Sequence, residues 1–546
     1  MKRKAVAAVL TAVMVASMFT GCGSDNGSSS AKSASAASAA SAANDTVDED
    51  GKVNGIMYKE GLPLVDEGAY TFSIFCDDSS ESGEFIMLDE FKKQTNVDVD
   101  LKIYPYETAT ERLNLDLNSG DYADVIGGWT LSDNAILTYG VNQGVFIPLE
   151  DYFEKYCPNI SAILDLPGVR EKMTAPDGHI YTIPYVCADS TVGYSPYINT
   201  KWLENVGMSM PTTTDEFEAV LKAFKEQDAN GNGDASDEIP FSTDPNNKHI
   251  EAMAGYFGLP MNKLGIAIQN EKVVYGGVSD TYREFLSWFH KLYAEGLVDV
   301  ELYTQDSSTW EGKGNQDLYG VSIAYGSGEF TGIPAAEERG DFDSMPVLNT
   351  DKDGIWLRDT EGFSVYRTQA VITNKAEHPE IICRWFDNAF ALENGIGCNR
   401  GPVGVIVNKE DDGYHAIDTT TLSEEDQEKY SWGNLWPQSL PKYLPADFEF
   451  VEEHPMYDEK KATEEAYEAN LTKEIIPSYW IDLDKIDTFS DTNTAIKDFF
   501  EQQQAQFVCG ELDIDNDADW QAYVDGMYSL GLEDWVATQG IEEIAK

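Results

Sequence analysis

Basic residues are scarce in this sequence. Its 546 residues include 38 Lys and Arg against 96 Asp and Glu, which gives a formal net charge of −58 at pH 7. Phosphate backbones and anionic lipid headgroups repel a chain of this charge, so nucleic acid is excluded as a partner and an anionic membrane surface is a poor one. The acids are spread along the chain, which is typical of a solvated surface rather than a binding tail.

Cysteine and histidine are also few, at 7 and 6 residues. No Cys-x-x-Cys pair occurs, which argues against a thiolate metal site, and the six cysteines after Cys22 are predicted to be free and mostly buried. The Gly-x-Ser-x-Gly, His-Glu-x-x-His and phosphate-loop motifs are missing as well. An enzyme is therefore not predicted, although a glycoside hydrolase stays an alternative because carboxylate pairs arise by chance among 96 acids.

The N-terminus carries an apolar run that extends from Ala5 to about Phe19, behind three basic residues. This run is too short for a comfortable transmembrane span, and residues 1–21 are predicted to be a signal peptide. The run ends in Phe-Thr-Gly-Cys, which resembles a bacterial lipobox and predicts a palmitate-type lipid anchor at Cys22. The alternative is an ordinary signal peptide followed by an incidental cysteine.

Residues 22–68 are predicted to be a lipid-anchored flexible tether. Ser, Ala, Gly and Asn dominate the stretch that follows Cys22, and large apolar residues are absent from it. Such a composition cannot bury enough surface to offset the entropy lost on ordering. The tether would hold a folded body away from a membrane or carry it through a cell wall.

The body begins with the pattern of an α/β fold. A buried-type strand over Tyr70–Cys76 is followed by a helical stretch and then by the alternating sequence of residues 97–104. This βαβ order predicts two parallel strands with a right-handed crossover. A further short strand, in Ala-Asp-Val-Ile-Gly-Gly-Trp, ends just before Trp129.

Ligands of parallel sheets bind at the carboxyl ends of the strands. Asp77 and Asp78 follow the first strand and Trp129 follows the third, so these side chains are predicted to face a ligand. A loop tryptophan folded back on its own lobe is the alternative for Trp129.

Several helices are marked by caps and apolar stripes. Thr213 and Glu216 form a capping-box pattern before an apolar stripe, and Ser279 or Asp280 caps a second helix. Pro379 is placed in the first turn of a third helix. The helical stripes assign core positions to a set of tryptophans: Trp202, Trp288 and Trp385.

The stretch Asp228–Phe241 has the spacing of half an EF-hand. Counted from Asp228, Asn230 and Asn232 occupy the third and fifth positions and Gly233 the sixth, but the twelfth position is Ile239 instead of Glu. Spacing alone leaves two interpretations open. One is a Ca²⁺ loop closed by earlier acids, and the other is an ordinary Asn-Gly turn.

Several stretches, in order along most of the chain, resemble one family: extracellular solute-binding proteins (family 1 type) of carbohydrate ABC importers, in the branch of Gram-positive lipoproteins. They are Leu117–Ile126, Gly144–Ile160, Ala175–Tyr185, Tyr197–Phe241 and Lys291–Leu302. The resemblance implies an α/β, two-lobed periplasmic-binding-protein-like fold with a hinge and an interlobe ligand cleft. The expected lobe boundaries are 69–190 for lobe one, 191–320 for lobe two, 321–375 for a return to lobe one and the hinge, and 376–546 mainly for lobe two and C-terminal helices.

The resemblance also implies a function. The protein would be a monomer, lipid-anchored on the extracellular face of the cell membrane, that captures an oligosaccharide and delivers it to permease subunits without catalysis. A secreted glycoside hydrolase or a surface adhesin is the alternative. Some similar family members hold a structural Ca²⁺ in a comparable loop, which would place the ligands here at Asp228, Asn230, Asn232, the Asp234 carbonyl, Asp237 and Glu238.

Sugar recognition needs flat aromatic faces together with carboxylates and amides. Of the 11 tryptophans, five lie in polar, loop-like stretches. The predicted sugar-binding set therefore comprises Asp77, Asp78, Trp129, Tyr185, Asp189, Trp310, Trp356, Trp432 and Trp436. We expect at least two of the loop tryptophans to face the cleft.

Overall fold

The computed structural model describes residues 46–78, 84–244, 249–332, 340–445, 448–451 and 455–545. The predicted signal peptide and Cys22 lie outside these residues. The α-helices are α1 (Ile86–Thr95), α2 (Tyr106–Ser119), α3 (Asp133–Ala135), α4 (Glu150–Tyr156), α5 (Pro158–Leu164), α6 (Val169–Met173), α7 (Thr200–Val206), α8 (Thr214–Glu226), α9 (Asp280–Ala294), α10 (Ser307–Asn315), α11 (Gly328–Thr331), α12 (Pro379–Ala389), α13 (Leu392–Arg400), α14 (Glu424–Lys429), α15 (Pro455–Tyr467), α16 (Ile486–Cys509), α17 (Asp517–Ser529) and α18 (Leu532–Thr538). A π-helix spans Ile136–Asn142, and 3-10 helices span Ile250–Phe257, Thr419–Thr421, Trp432–Asn434, Glu468–Asn470 and Leu483–Lys485.

The strands form two main sheets and several short pairings. They are β1 (Lys52–Val53), β2 (Met57–Tyr58), β3 (Tyr70–Asp77), β4 (Val97–Tyr104), β5 (Val125–Gly127), β6 (Thr182–Ala188), β7 (Ser195–Asn199), β8 (Ile239–Thr243), β9 (Ile266–Gln269), β10 (Lys272–Tyr275), β11 (Tyr319–Ala324), β12 (Phe342–Ser344), β13 (Trp356–Arg358), β14 (Phe363–Ile372), β15 (Val407–Glu410), β16 (Gly413–Ala416), β17 (Leu471–Ile475) and β18 (Glu543–Ile544). The first main sheet has the order β4-β3-β5-β14-β6, and the second has the order β12-β7-β11-β8.

The first sheet confirms the predicted parallel unit. β3 pairs with both β4 and β5 in parallel, with Tyr70 opposite Val97 and Ile74 opposite Val125. β14 runs antiparallel to β5 and to β6, and its register slips between Tyr366 and Ala370. The carboxyl ends of β3, β5 and β6 therefore lie at one edge of the sheet, and Tyr366 reaches the same edge.

The second sheet presents a corresponding edge. β11 is parallel to β8 and antiparallel to β7, so the chain leaves β11 at Ala324 beside the residue where β7 begins, Ser195. The segment from β6 to β7 therefore runs directly from one sheet edge to the other. This segment contains Asp189.

Each of the two main sheets contributes to its own hydrophobic core. We call the part of the chain that packs around the first sheet the first lobe, and the part that packs around the second sheet the second lobe. The first lobe is packed around β3, β5, β6 and β14, with α1, α4, α5 and α12 contributing buried side chains. The second is packed around β7, β8 and β11, with α7, α8, α9, α16, α17 and α18. Trp202 and Trp385 are fully buried and Trp288 is partly buried against the second core, which confirms their assignment as core residues.

The predicted lobe boundaries were wrong in two places. Strands β11 and β12 belong to the second sheet, so this part of the predicted return over 321–375 does not lie in the first lobe. Residues 379–400 and the segment around Leu440 pack in the first core instead of the second lobe, because Ile381, Trp385 and Trp436 complete its apolar interior. The chain therefore crosses between lobes again after residue 440.

The predicted tether is too long at its C-terminal end. β1 pairs with β2, and Val53, Met57, Leu64 and Val65 are buried in the core of the first lobe. These few apolar residues pack against side chains that other parts of the first lobe supply. The segment is therefore ordered although its own sequence contains few apolar residues. Residues 52–65 belong to the body.

The predicted N-terminal residues of these helices are confirmed, with one difference in a capping hydrogen bond. The Thr213 and Ser279 hydroxyls accept hydrogen bonds from the N–H groups of Glu216 and Tyr282, and Pro379 opens α12. The Glu216 carboxylate, however, accepts from the N–H and hydroxyl of Thr212 rather than from Thr213. Within the described part of the chain, no helix combines the length and apolarity needed to cross a membrane.

Candidate functional site

Asp77 holds the loop that carries Trp129. Its carboxylate accepts hydrogen bonds from the N–H groups of Trp129 (2.9 Å) and Thr130 (2.6 Å) and from the Thr130 hydroxyl (2.7 Å). Gly128, the residue before Trp129, has a φ of 136°, and a Cβ on it would lie 2.2 Å from the Asp77 Oδ1. Asp77 is fully buried, so the prediction that it faces a ligand was wrong, and it instead positions the loop.

Asp78 is also buried, with 3% of its surface exposed. Its carboxylate accepts a hydrogen bond of 2.8 Å from the N–H of Gln438, a residue of the first lobe that is 360 positions away. The prediction of a ligand contact for Asp78 was wrong for the same reason as for Asp77. Both carboxylates are taken up by backbone N–H groups of neighbouring loops in this structure.

Two tryptophans of the predicted set remain open to solvent at the edge of the first sheet. Trp129 is 44% exposed and Trp432 is 51% exposed. Trp129 packs edge-on against Tyr366 at 5.3 Å between centroids, and Tyr366 stacks on Tyr185 at 5.6 Å. We call Trp129, Tyr366, Tyr185 and Trp432 the aromatic surface.

The ammonium group of Lys442 joins Tyr185 to Trp432. Its Nζ lies 5.1 Å from the centroid of the Tyr185 ring and 5.8 Å from that of Trp432. Lys442 is 1% exposed, and burial lowers the pKa of its side chain to about 8. Lys442 therefore lies within reach of both the Tyr185 and the Trp432 rings of the aromatic surface.

Asp189 ties this surface to the second lobe. Its carboxylate accepts hydrogen bonds from the hydroxyls of Tyr366 (2.7 Å) and Tyr325 (3.0 Å). Tyr366 lies in β14 of the first lobe, whereas Tyr325 directly follows β11 of the second. Tyr194 packs edge-on against Tyr325 at 6.2 Å and stacks on His249 at 4.0 Å, which adds an aromatic wall on the second lobe.

A cavity of about 730 Å³ borders the loop that carries Trp129. Thr130, next to Trp129, is one of its lining residues, and hydroxyl and amide side chains make up much of its wall. The Asn134 amide oxygen accepts a hydrogen bond of 3.0 Å from Ser490 of α16, which crosses from the first lobe to the C-terminal helices. The volume is within the range of small-molecule sites.

One ion pair lies beside this cavity. The Arg367 guanidinium donates to the carboxylate of Asp133, a cavity residue, and to the Tyr479 carbonyl at 2.7 Å. The guanidinium also lies 4.2 Å from the centroid of the Trp480 ring. Because these partners satisfy both charges, the lining is largely neutral and polar.

Three predicted sugar-binding tryptophans lie in the cores instead. Trp310, Trp356 and Trp436 are 3%, 1% and 0% exposed. The indole N–H of Trp310 donates to the Ser322 hydroxyl at 3.2 Å, and that of Trp436 donates to the Leu440 carbonyl at 3.4 Å. The prediction for these three was wrong, because polar neighbours along the sequence do not show that a large apolar ring is exposed.

Four residues of this arrangement were not predicted from the sequence. Tyr366, Tyr325, Tyr194 and Lys442 were not predicted, although all four adjoin the surfaces that Asp189 connects. Tyr325 follows a buried strand as Trp129 does, so the rule for carboxyl ends of strands would have found it. Lys442 lies in a loop of ordinary composition and carries no such signal.

The candidate calcium loop, Asp228–Glu238, links α8 to β8. Buried oxygens of Asp228 (Oδ1) and Glu238 (Oε2) have no hydrogen-bond partner among the described residues. Burial raises the pKa of Glu238, with the Asp237 charge adding to the effect. Two unpaired buried carboxylate oxygens in one loop fit a hard cation such as Ca²⁺.

The rest of the loop is bonded to itself. The amides of Asn230 and Asn232 donate to Asp237 at 3.3 and 2.8 Å, and Asp234 accepts from Ser236. Among the residues that the structure describes, the side chains of Glu410, Asp412 and His415 form the group of three titratable ligands drawn together elsewhere, on the β15–β16 hairpin. The loop therefore contains the oxygen ligands that Ca²⁺ prefers, but several of its side chains are hydrogen-bonded to one another.

Comparison with known proteins places these features in context. The model of a family described as bacterial extracellular solute-binding protein matches residues 78–395. The chain is 31% identical over 411 residues to the fructooligosaccharide ABC transporter substrate-binding protein FusA of Streptococcus pneumoniae serotype 4 (strain ATCC BAA-334 / TIGR4), covering 73% of this chain and 70% of FusA. It is 28% identical over 280 residues to lipoprotein LipO of Bacillus subtilis (strain 168), covering 50% of this chain and 52% of LipO.

Solved structures of FusA have the same fold as this chain. FusA in complex with kestose superposes with a TM-score of 0.75 at 26% identity, covering 86% of this chain and 98% of that one. A FusA EF-hand mutant in complex with fructo-nystose gives a TM-score of 0.73 at the same identity and coverage. The predicted family and the two-lobed α/β fold are confirmed.

Proposed function

The chain belongs to the family of bacterial extracellular solute-binding proteins, and from this premise we propose that it captures an oligosaccharide for an ABC importer. Proteins of this family are transport components that bind a solute without transforming it. The expected activity is therefore reversible binding between the two lobes, followed by transfer to permease subunits.

The observation that carries this proposal is the aromatic surface beside the junction of the lobes. Trp129 and Trp432 leave 44% and 51% of their surface open, and Tyr366 and Tyr185 connect them. Flat aromatic faces receive the C–H faces of sugar rings, and nearby polar groups receive the hydroxyls. Asp189, which bonds a tyrosine from each lobe, is placed to exchange one of those partners for a sugar hydroxyl.

The proposed ligand is an uncharged oligosaccharide of several units. FusA is named for fructooligosaccharides and has been solved with kestose, so this class is the first to test. The hydroxyl- and amide-rich cavity beyond Thr130 offers room for units that extend past Trp129. A charged ligand fits this lining poorly, because Arg367 and Asp133 already neutralise each other.

A panel of oligosaccharides tests the proposal. We expect at least one uncharged oligosaccharide to raise the melting temperature of the full chain, because a ligand that binds only the native state stabilises it. Calorimetry should then give saturable binding, and the sugar should be recovered intact after long incubation at high protein concentration. Release of shorter sugars would identify a hydrolase instead, and a flat response to the whole panel would remove the proposal.

We further propose that the Asp228–Glu238 loop holds one structural Ca²⁺, with Asp228, Asn230, Asn232, the Asp234 carbonyl, Asp237 and Glu238 as ligands. The unpaired buried oxygens of Asp228 and Glu238 support it, and a related FusA structure is itself described as an EF-hand mutant. A cation there would relieve repulsion among the acids of the loop. It would also tie the end of α8 to the start of β8.

The last part of the proposal is anchoring. The lipobox-like sequence ending at Cys22, together with similarity to the lipoprotein LipO, supports a lipid anchor on the extracellular face of the cell membrane. The anchored form is proposed to be a monomer. With a net charge of −58 for the full sequence, the chain would be repelled by anionic headgroups, so a covalent lipid rather than surface charge would hold it there.

A further inference from the structure

Lys442 is a buried cation in direct contact with the aromatic surface. Its segment lies beside β6, where the Val186 N–H donates to the Lys442 carbonyl at 3.2 Å and the Leu444 N–H donates to the Val186 carbonyl at 3.3 Å. This backbone pairing places the Lys442 side chain against Tyr185, the residue before Val186. Its ammonium faces both the Tyr185 ring and the Trp432 ring.

A second route leads from Lys442 to Trp432 through Gln438. The ammonium donates to the Gln438 amide oxygen at 2.7 Å, and the amide nitrogen then donates to the carbonyls of Trp432 and Trp436, each at 2.9 Å. The backbone N–H of Gln438 is held by Asp78. A cation at Lys442 therefore fixes which end of the amide faces Trp432, because an ammonium can only donate.

The charged and titratable groups around Lys442 come from three other segments. They are Asp78 after β3, Cys187 in β6, and Cys398 and Arg400 in α13. Burial is the largest influence, the Arg400 charge adds to it, and together they outweigh the attraction of Asp78, so the pKa of Lys442 falls to about 8. The charge of this side chain is therefore present near neutral pH and lost in mildly alkaline solution.

We propose that Lys442 is a positioning residue of the ligand site, which holds the Tyr185 and Trp432 rings in the arrangement that receives the ligand. The inference rests on the proposed function for what that ligand is, but the arrangement itself can be observed without one. Loss of the proton removes two cation–π contacts and frees the Gln438 amide to turn, so Trp432 should change its surroundings.

Fluorescence gives the test that needs no ligand. The signal of Trp432 is obtained by subtracting the spectrum of Trp432→Phe from that of the unaltered chain, in a titration from about pH 6.5 to about pH 9.5. We expect a transition near pH 8 that is absent in Lys442→Arg, which keeps its charge, and in Lys442→Met, which never has one. Lys409→Met is the matched control, because Lys409 lies 5.7 Å from the Tyr414 ring on an exposed hairpin.

Binding of kestose gives the second readout. Lys442→Met should weaken binding by roughly tenfold at about pH 7, whereas Lys442→Arg should stay within about threefold of the unaltered chain. The unaltered chain should weaken between about pH 7 and about pH 9.5, and Lys442→Met should not. A titration of Trp432 that persists in Lys442→Met, or that is missing from the unaltered chain, would overturn the inference whether or not kestose binds. If kestose fails to bind while the transition follows Lys442, the proposed ligand is at fault and the positioning role stands.

Discussion

Trp129 is exposed and Trp310 is buried, so we expect replacement by alanine to have different consequences at the two positions. Trp129 has an open face and a loop held by Asp77, so removing its ring would remove the proposed ligand contact and little packing. Trp310 packs against Phe330 at 5.7 Å and bonds Ser322 inside the second lobe. Both residues are tryptophans, so the difference in their expected roles comes from their surroundings.

At this scale we predict that Trp129→Ala and Trp432→Ala each weaken oligosaccharide binding by about tenfold or more, while the melting curve changes little. Trp310→Ala should instead lose about 3–5 kcal/mol of stability, the usual cost of emptying a core aromatic site. Calorimetry and urea unfolding of the same preparations separate the two effects.

The control for exposure is Tyr528→Ala, since Tyr528 is 42% exposed at the end of α17, far along the chain from the aromatic surface. It should bind as the unaltered chain does. Unchanged affinity in both Trp129→Ala and Trp432→Ala would move the ligand elsewhere, with the cavity beside Thr130 as the next candidate.

The calcium loop belongs to the scale of elements, because its role is to join α8 to β8. In the absence of a cation, the buried oxygens of Asp228 and Glu238 are unpaired, which costs stability. Bound Ca²⁺ would make them ligands and would tighten the connection between helix and strand. Mg²⁺ should replace Ca²⁺ poorly, because it demands a smaller octahedral shell and releases water reluctantly.

We therefore predict that EGTA lowers the melting temperature by several degrees and that Ca²⁺ restores it, because the ion binds only the folded form. Oligosaccharide affinity should change less, since the loop is at the far end of β8 from the aromatic walls. Differential scanning calorimetry with and without chelator, together with elemental analysis, provides the measurement.

Two variants assign the effect to the loop. Asp228→Ala should abolish the response to EGTA, and Asp412→Ala should preserve it, because Asp412 belongs to the separate group on the β15–β16 hairpin. An EGTA response that disappears in Asp412→Ala instead would place the ion on that hairpin. No response at all, with no metal found, would leave an ordinary Asn-Gly turn.

At the scale of the whole molecule, the two lobes are connected by chain segments and by side chains that meet between them. The Lys460 ammonium donates to the carbonyls of Gly193 and Tyr325, each at 2.6 Å, and Asp189 bonds Tyr325 and Tyr366. Of these bonds, the pair at Asp189 joins a tyrosine of each lobe, so relative motion of the lobes would strain that pair. A ligand that bridges the lobes would offer its own hydroxyls to the same groups.

Anchoring is the prediction for the whole molecule in its cell. Cys22→Ser should release the protein into the medium, because the acidic body has no attraction of its own for anionic lipid. Fractionation of an expressing bacterium, followed by immunoblotting of membrane and medium, checks it. Ser24→Ala is the control for a nearby change that keeps the cysteine. If Cys22→Ser stays in washed membranes, the anchor lies elsewhere.

Local patterns in the sequence determined much of the framework. Alternation in Val97–Tyr104, the apolar stripe before Asp228 and the hydroxyl caps at Thr213 and Ser279 act over a few neighbouring residues, so their elements were predictable. The order of strand and helix then implied a parallel sheet, and the position of Trp129 after β5 implied exposure at its edge. Each of these inferences depends on covalent proximity.

Tertiary structure alone decided which distant side chains meet. Asp189, Tyr325 and Tyr366 are joined across the lobes by hydrogen bonds that no sequence spacing encodes. Burial of Trp310 and Trp356, and the docking of residues 52–65, likewise depend on surfaces that distant segments complete. The physical reason is that hydrophobic burial and the pairing of polar groups are properties of the assembled environment, whereas secondary structure responds mainly to neighbours along the chain.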